Sequence, residues 1–290
     1  MNRPLKNRPY LIFFILFLVS ITPFSGKFIS QSKPSRSSNE LYKPELIRLN
    51  TIGKFTTYID SSYKNNSNVF DTAAYVSLAS KLTKERFHHG SSDYRFSENW
   101  IIYLCGKLFW SHFSSIVLPD DILKYEMGLC SQQTIVFMDV LKHKNIKIRS
   151  VGLGYKEGPG HFLCEVKYNG QWHIHDVSLE PVWSNIANDH LSMDYYLTKK
   201  DSLFLVYKSR IPRSTFYKLL EKKIYGDINQ MPAQNMAMFH RFTFFLIYFI
   251  PSLLLFFGVL SYWKKTKKGA LSDRLEPQEG NHETMAPVSV

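Results

Sequence analysis

A long uncharged stretch near the carboxyl end constrains this chain more than any other feature. Residues 242–263 read FTFFLIYFIPSLLLFFGVLSYW, and the basic run KKTKK follows directly. About 20 apolar residues form a helix long enough to cross a bilayer, and basic flanks collect on the cytoplasmic side. A buried core helix is the alternative, but the length and the basic flank favour a transmembrane helix. We therefore predict a membrane span over 242–263 and a cytoplasmic tail over 264–290.

A second apolar stretch lies at residues 10–24 and follows the basic residues Arg3, Lys6 and Arg8. It is short for a membrane span, so an uncleaved signal anchor and a cleaved signal peptide both remain open. The sequence SITPFSGKF offers no clean small-x-small cleavage site, which favours the anchor. The positive-inside rule then places residues 1–9 and the tail in the cytoplasm, at the plasma or inner membrane of the cell.

Between the two apolar stretches we predict a Ser-rich linker over 25–45 and an extracytoplasmic domain over 46–240, large enough to bury a core. The chain carries a net charge of +12, but part of this charge flanks the apolar stretches. The remaining basic residues are scattered and form no block interleaved with aromatics, which argues against a nucleic-acid partner. We expect a lipid bilayer as one partner of the domain.

Hydrophobic periodicity predicts helices over 71–87 and 131–142 and a strand over 146–153. The helix at 131–142 has apolar residues on a broad face and is expected to be buried. Residues 98–113 are apolar nearly all round, and we interpret them as a core helix too short to cross a membrane.

A β-hairpin is the most informative local prediction. Strand-like stretches at 161–168 and 171–177 flank an Asn-Gly dipeptide, the strongest short hairpin signal. With that dipeptide as the turn, Leu163 opposes Asp176. Because side chains alternate between faces, His161 becomes a diagonal neighbour of Asp176 on the same face, within side-chain reach.

The candidate nucleophile is Cys130, which follows a turn and begins the buried helix. The helix dipole and the unpaired N–H groups of the first turn favour a thiolate and can bind an oxyanion. His161 would transfer the proton, and Asp176 would orient its ring. A buried unreactive thiol, a core histidine and a strand-end turn aspartate are the alternatives for these three residues.

The ordered pattern of residues resembles the transglutaminase-like superfamily over residues 70–200, most firmly over 119–181. The matching segments are Gly128-Leu129-Cys130, Ile148-Arg149-Ser150-Val151, Gly160-His161 and Trp172 to Asp176. The resemblance implies a papain-like α+β fold in which the Cys-bearing helix packs on an antiparallel sheet, here with N- and C-terminal transmembrane helices. It also implies acyl transfer through a thioester, with Cys130, His161 and Asp176 as the catalytic residues.

We accordingly expect a membrane-bound cysteine acyl-transfer enzyme without cofactor or metal. Its substrate would be a protein, a peptide or a cell-envelope polymer, and hydrolysis of an amide or peptide bond is preferred to cross-linking. Two alternatives remain open: a catalytically inactive transglutaminase-like binding module at the membrane, and a structural component of a membrane assembly.

Several rival roles for the remaining residues follow from the same register. Cys164 opposes His175 and forms a second Cys-His pair, but it lies mid-strand, which favours core packing. A Cys105–Cys164 disulfide stays open. A metal site built from His161, Cys164, His173 and His175 is disfavoured because alternation separates His161 from the other three.

A second oxyanion donor, besides the Cys130 backbone N–H, is not fixed by the sequence. Trp110 is a candidate, although a core aromatic is the favoured interpretation. Gln132 and Gln133 are first-turn helix residues that follow the cysteine.

Overall fold

The computed structural model describes residues 9–25, 41–64, 70–154, 160–179, 190–207 and 211–275. The chain divides into two compact units, one built from segments at both ends and the other from Ser30–Thr243. Most of the predicted linker and the last fifteen residues of the predicted tail, 276–290, lie outside the described residues.

The described residues form ten α-helices and six strands, with short 3-10 turns at Pro44–Arg48 and Ser111–Ser114. The helices are α1 (Pro9–Ser25), α2 (Ile52–Lys64), α3 (Thr72–Arg86), α4 (Trp100–Leu108), α5 (Pro119–Ile122), α6 (Cys130–Lys142), α7 (Met193–Thr198), α8 (Lys200–Tyr207), α9 (Arg213–Leu219) and α10 (Gln234–Leu275). The strands are β1 (His88–His89), β2 (Met127–Gly128), β3 (Lys147–Gly154), β4 (His161–Tyr168), β5 (Gln171–His175) and β6 (Lys222–Tyr225).

The main sheet is antiparallel and has the strand order β5-β4-β3-β6. The predicted hairpin register is confirmed, since Tyr168 pairs with Gln171 and Cys164 pairs with His175. Asn169 and Gly170 have φ angles of 50° and 78°, the left-handed conformations that a tight hairpin turn requires.

Strand β5 is shorter than predicted. It ends at His175, and Asp176 begins a turn instead of continuing the ladder to residue 177. The Asp176 side chain accepts hydrogen bonds from the backbone N–H groups of Ser178 and Leu179, a local alternative to strand pairing that aspartate favours.

Helix α6 packs against one face of the sheet and is buried along most of its length. The Phe137 ring contacts the ring of His175, which shares that face with Cys164. The Thr134 hydroxyl donates to the carbonyl oxygen of Phe162 at 3.3 Å and ties the first turns of the helix to the start of β4. Within this unit the fold is therefore mixed α and β, with the Cys-bearing helix on an antiparallel sheet.

The opposite face of the sheet is covered by α7, α8 and α9, which the sequence patterns do not predict. An apolar cluster joins these helices to β3, β4 and β5. Its buried members are Val151, Leu153, Leu163, Ile174, Met193, Tyr196, Leu203, Tyr207, Phe216, Leu219 and Leu220. Full burial of one such side chain contributes about 1.5–3 kcal/mol, so this cluster is a major part of the core.

The interpretation of residues 98–113 as a core helix is wrong. Helix α4 is nine residues long, and Ile102 is the buried residue within it. Leu108 is 71% exposed, Phe109 78% and Trp110 53%. An all-round apolar pattern is typical both of a core and of a surface in contact with lipid, so the pattern alone does not distinguish them.

The terminal unit contains α1 and the part of α10 beyond Phe244, which pack antiparallel. Ring contacts join Tyr10 to Tyr262, Phe13 to Phe257 and Phe24 to Tyr248. Among the described residues, the segment Gln234–Lys268 of α10 is long and apolar enough to cross a membrane, whereas α1 is a shorter apolar helix.

Helix α10 is longer than the predicted span at both ends and continues through Pro251. It begins at Gln234 and includes the basic run after Trp263. Lysine is a good helix former, which accounts for the continuation into the predicted tail.

The antiparallel packing predicts a specific cross-link. In a background whose three native cysteines are changed to Ala, Phe13→Cys with Phe257→Cys should be joined by a short bifunctional maleimide, because the two rings are 6.0 Å apart. The mismatched pair Phe13→Cys with Tyr248→Cys should not react, since nine helical residues separate 248 from 257 by about 13 Å. Mass spectrometry of the membrane-extracted chain reports both results.

Loss of residues 1–24 from the mature protein would contradict the anchor prediction.

Candidate active site

Cys130 is the first residue of α6 and is partly exposed. The segment before it is fixed by the short parallel pairing of β1 with β2 and by buried Arg86, which donates to the carbonyl oxygens of Leu123 and Tyr125. A Cβ at Gly128 would lie 3.1 Å from the Gln133 side chain. Glycine therefore allows the chain to pass close to the helix that it is about to enter.

Gln132 holds the first turn of α6 in place. Its amide oxygen accepts from the N–H groups of Leu129 and Ser92, at 3.0 and 3.1 Å. Its amide nitrogen donates to the carbonyl oxygens of Ser92 and Ile116, at 2.7 and 3.0 Å. Both amide hydrogens are thereby used, so Gln132 is a structural residue and not a donor for substrate. The side-chain amide of Gln133 donates to the carbonyl oxygen of Gly128.

His161 lies between Cys130 and Asp176. Its Nε2 is 2.5 Å from Asp176 Oδ2, and the Cys130 side chain is close enough to raise the pKa of the ring. Because Nε2 is engaged by the carboxylate, Nδ1 is the ring nitrogen that remains for the thiol. The structure thus brings together the three residues that the sequence selects as the candidate site.

The environment of His161 favours the charged ring. Burial lowers the pKa of His161, but the Asp176 carboxylate and the Cys130 side chain raise it more strongly, to about 10. An opposite charge within hydrogen-bonding distance is the usual cause of such an increase.

Both carboxylate oxygens of Asp176 accept hydrogen bonds. One oxygen accepts from His161 and from the Tyr207 hydroxyl at 2.9 Å, and the other accepts from Ser178 and Leu179 in the following turn. Burial raises the pKa of Asp176, yet His161 and these donors lower it to about 2. Asp176 thus contacts His161 through one oxygen and the turn that follows β5 through the other.

Tyr207 is a site residue that the sequence analysis missed. It lies in α8, is 3% exposed, and its hydroxyl shares Asp176 Oδ2 with His161. No local pattern links Tyr207 to an aspartate 31 positions earlier, because the contact depends on how α8 packs over the sheet.

Arg149 and Trp172, which belong to the sequence pattern, hold the strands of the sheet together. The Arg149 guanidinium lies 4.5 Å from the Trp172 ring and 4.0 Å from the Tyr225 ring, and it pairs with the buried carboxylate of Glu165. Glu165 also accepts from the backbone N–H of Met193. These contacts join β3, β4, β5 and β6 and fix the hairpin that carries His161.

The structure also bears on the other roles considered for the cysteines, the histidines and Trp110. Cys164 is fully buried in the core, and Cys105, Cys130 and Cys164 are all free thiols, so the Cys105–Cys164 disulfide is not formed. No group of His, Cys, Asp and Glu within the described residues is arranged to hold a metal ion. Trp110 is not a core aromatic, since half of its side chain is exposed.

An open cleft of about 350 Å³ is lined by Leu129, the residue before the candidate nucleophile, and by residues of α4, of the 3-10 turn after it and of the loop at residues 91–94. Polar side chains line much of it, including Ser91, Asp93, Lys107, Ser111 and His112.

No protein-family model matches the chain, and no curated protein matches it in sequence. Among solved structures, the chain is similar in part to a provisionally assigned cysteine protease from Cytophaga hutchinsonii, with 12% identity and a TM-score of 0.29. The match covers 47% of this chain and 43% of the other, so the chain spans less than half of that protein's length. At this level of similarity the comparison assigns no function.

The raised pKa of His161 predicts a pH-dependent contribution to stability. Folding raises this pKa from 6.5 to about 10, so the stabilisation is complete below about pH 6.5 and is lost as the pH rises toward 10. The difference in unfolding free energy between wild type and His161→Gln should therefore be largest near pH 6 and shrink toward pH 10. Denaturant unfolding of the detergent-solubilised chain measures this, and a difference that grows with pH would contradict the ion pair. The Asp176→Asn variant should remove most of the same pH dependence.

The Gln132 network predicts a large loss of stability on substitution. Gln132→Leu removes four hydrogen bonds and leaves three backbone groups without a partner, since the Ser92 carbonyl oxygen keeps its bond from the Ile116 N–H. Each buried group left unsatisfied costs about 1–3 kcal/mol, so we expect a loss of roughly 3 kcal/mol or more. Gln133→Leu, which breaks the bond to Gly128, is the matched control and should cost less. Equal losses in denaturant unfolding would show that the network does not hold the helix start.

Proposed function

We propose that this chain is a membrane-anchored cysteine acyl-transfer enzyme of the transglutaminase-like type, which hydrolyses an amide or peptide bond through a thioester. The observation that carries the proposal is the His161 ring, which lies between the Cys130 thiol and the buried Asp176 carboxylate. The ordered sequence pattern around these residues supports the same assignment.

In the proposed reaction, the Cys130 sulfur attacks the carbonyl carbon of the substrate, and the thiol proton resides on His161 Nδ1. Collapse of the tetrahedral intermediate breaks the C–N bond, and His161 gives this proton to the leaving amine. A water molecule then attacks the thioester, His161 removes its proton, and the acid product leaves as the thiol is restored. Asp176 remains a carboxylate throughout and stabilises the imidazolium.

The start of α6 supplies a place for the oxyanion. The Cys130 backbone N–H is among the first N–H groups of the helix, which have no partner within the helix and point out of its positive end. A donor at this position is fixed before the reaction begins, which is what lowers the barrier for the charged intermediate.

The exposure of the thiol favours an enzyme over an inactive binding module. An inactive module does not require an accessible thiol, so other side chains could bury its cysteine. Here Cys130 is partly exposed, while His161 is only 9% exposed and Asp176 is fully buried. Cys130 thus keeps part of its surface exposed to solvent, and the two groups that support it are shielded from water.

We propose that the domain lies outside the membrane and that both termini are cytoplasmic. The long apolar helix α10, the antiparallel contacts of α1 with it and the basic residues at both flanks support this topology. Proteins, peptides or cell-envelope polymers near the plasma or inner membrane are then the accessible substrates. Cross-linking of two proteins is the alternative outcome of the same thioester.

The proposed thiol–imidazole pair predicts selective reactivity of one cysteine. Cys130 should react with iodoacetamide at neutral pH about 10-fold or more faster than Cys105, which is also partly exposed but has no such partner predicted. His161→Ala should slow Cys130 to the rate of Cys105, and buried Cys164 should react slowly in both proteins. Peptide mass spectrometry of the folded chain gives the three rates separately.

Turnover supplies the control for this experiment. Cys130→Ala should abolish hydrolysis of amide or peptide substrates, while its circular dichroism spectrum stays that of the wild type. Undiminished turnover in Cys130→Ala would exclude Cys130 as the nucleophile. If Cys130 reacts no faster than Cys105 and the wild type shows no turnover, the binding-module alternative replaces the enzyme assignment.

A further inference from the structure

An exposed apolar surface follows the end of α4. We call it the apolar shoulder and define it by four side chains that are at least 37% exposed: Leu104, Leu108, Phe109 and Trp110. Two of them, Leu108 and Phe109, are more than 70% exposed, which is costly for side chains of this size in water. Contiguous exposed apolar side chains usually mark a surface that is covered by a partner or a membrane.

The shoulder is attached to the first turns of α10. The His240 ring bonds the carbonyl oxygen of Phe113 at 2.9 Å, and the Asn99 amide donates to the Thr243 hydroxyl at 3.1 Å. The Trp110 ring contacts Phe113, whose ring in turn contacts Phe239. Both ends of the segment that carries the shoulder are thus bound to residues 239–243.

These contacts set the depth of the shoulder relative to a bilayer. The uncharged run of α10 begins at Phe242, and a helix of about 20 residues fills the hydrocarbon core of about 30 Å. The headgroup layer on each side is several ångströms thick, so residues 239–243 would lie at its boundary with the hydrocarbon. The ends of the segment that carries the shoulder contact these residues, so we expect that segment close to the same depth.

The charge of the segment fits a lipid surface. From Asn99 to Pro119 the chain contains no Asp or Glu, while Lys107 is basic and exposed. Tryptophan prefers the membrane interface, where its apolar ring and polar N–H are both accommodated. Apolar side chains beside basic ones are typical of segments that lie in the plane of an anionic membrane.

We propose that the apolar shoulder inserts into the outer headgroup layer of the anionic bilayer that α10 spans. The inference rests on the membrane span in the proposed function and is independent of the thiol chemistry. The segment that would contact lipid then also borders the cleft, since residues of α4 and of the turn after it line the cleft together with Leu129.

Tryptophan quenching tests the insertion on the full chain. The protein is reconstituted in nanodiscs of phosphatidylcholine and phosphatidylglycerol, with or without bromine near the headgroup end of the acyl chains. Trp110→Phe, Trp172→Phe and Trp263→Phe, each compared with wild type, give the emission of the individual residues. All three replacements are conservative, and Trp110 and Trp263 are more than half exposed, so folding should be kept.

The result expected is that Trp110 and Trp263 each lose about half or more of their emission in brominated nanodiscs, whereas Trp172, packed on Arg149 in the sheet, loses little. Quenching of Trp263 without quenching of Trp110 would overturn the shoulder and leave the span intact. Absence of quenching at Trp263 as well would remove the span and with it this inference, while the alkylation rates of Cys130 would still decide the enzyme assignment.

Discussion

The pairing register of the β4–β5 hairpin is the constraint on which the candidate site depends. Side chains alternate across a strand, so a slip of one residue would move Asp176 to the face opposite His161. The left-handed conformations of Asn169 and Gly170 fix the turn, and the Arg149–Glu165 pair between two aromatic rings holds the neighbouring strands. The geometry of the His161–Asp176 pair is therefore a consequence of contacts several residues away.

The position of the thiol depends on a second set of polar contacts. Gln132 and Arg86 are almost fully buried, and both use their hydrogen bonds to hold the backbone that leads into α6. Burying polar groups in this way is favourable only when they are paired, so the arrangement tolerates little displacement. Thr134 then fixes α6 against the strand that begins with His161. A helix start, a strand start and a turn are joined into one rigid frame.

The sequence predicts this frame well because its signals are local. The Asn-Gly turn, the alternation of β4 and the apolar face of α6 each depend on a few adjacent residues, and together they bring Cys130, His161 and Asp176 to one place. The end of β5 was predicted too late, because the hydrogen bonds of the Asp176 side chain compete with strand pairing.

Contacts between distant segments are what the sequence does not reveal. Tyr207 reaches Asp176 only through the packing of α8 over the sheet, and no pattern in either segment indicates it. The apolar pattern of residues 98–113 predicts a core helix, whereas Leu108, Phe109 and Trp110 are exposed, and no local pattern distinguishes the two cases. The proposed roles of the three site residues stay predictions until the thiol is tested.

The attachment of residues 99–113 to the start of α10 has a consequence for how substrates are met. A domain that meets the membrane only through its anchor can tilt over the lipid, whereas the proposed insertion of the apolar shoulder would restrict this movement. The proposed catalytic thiol would then stay within a thin layer next to the lipid. Chains that lie along the membrane would meet it far more often than chains that extend away from it. Selection of substrates would then begin with distance from the lipid, before any side chain is recognised.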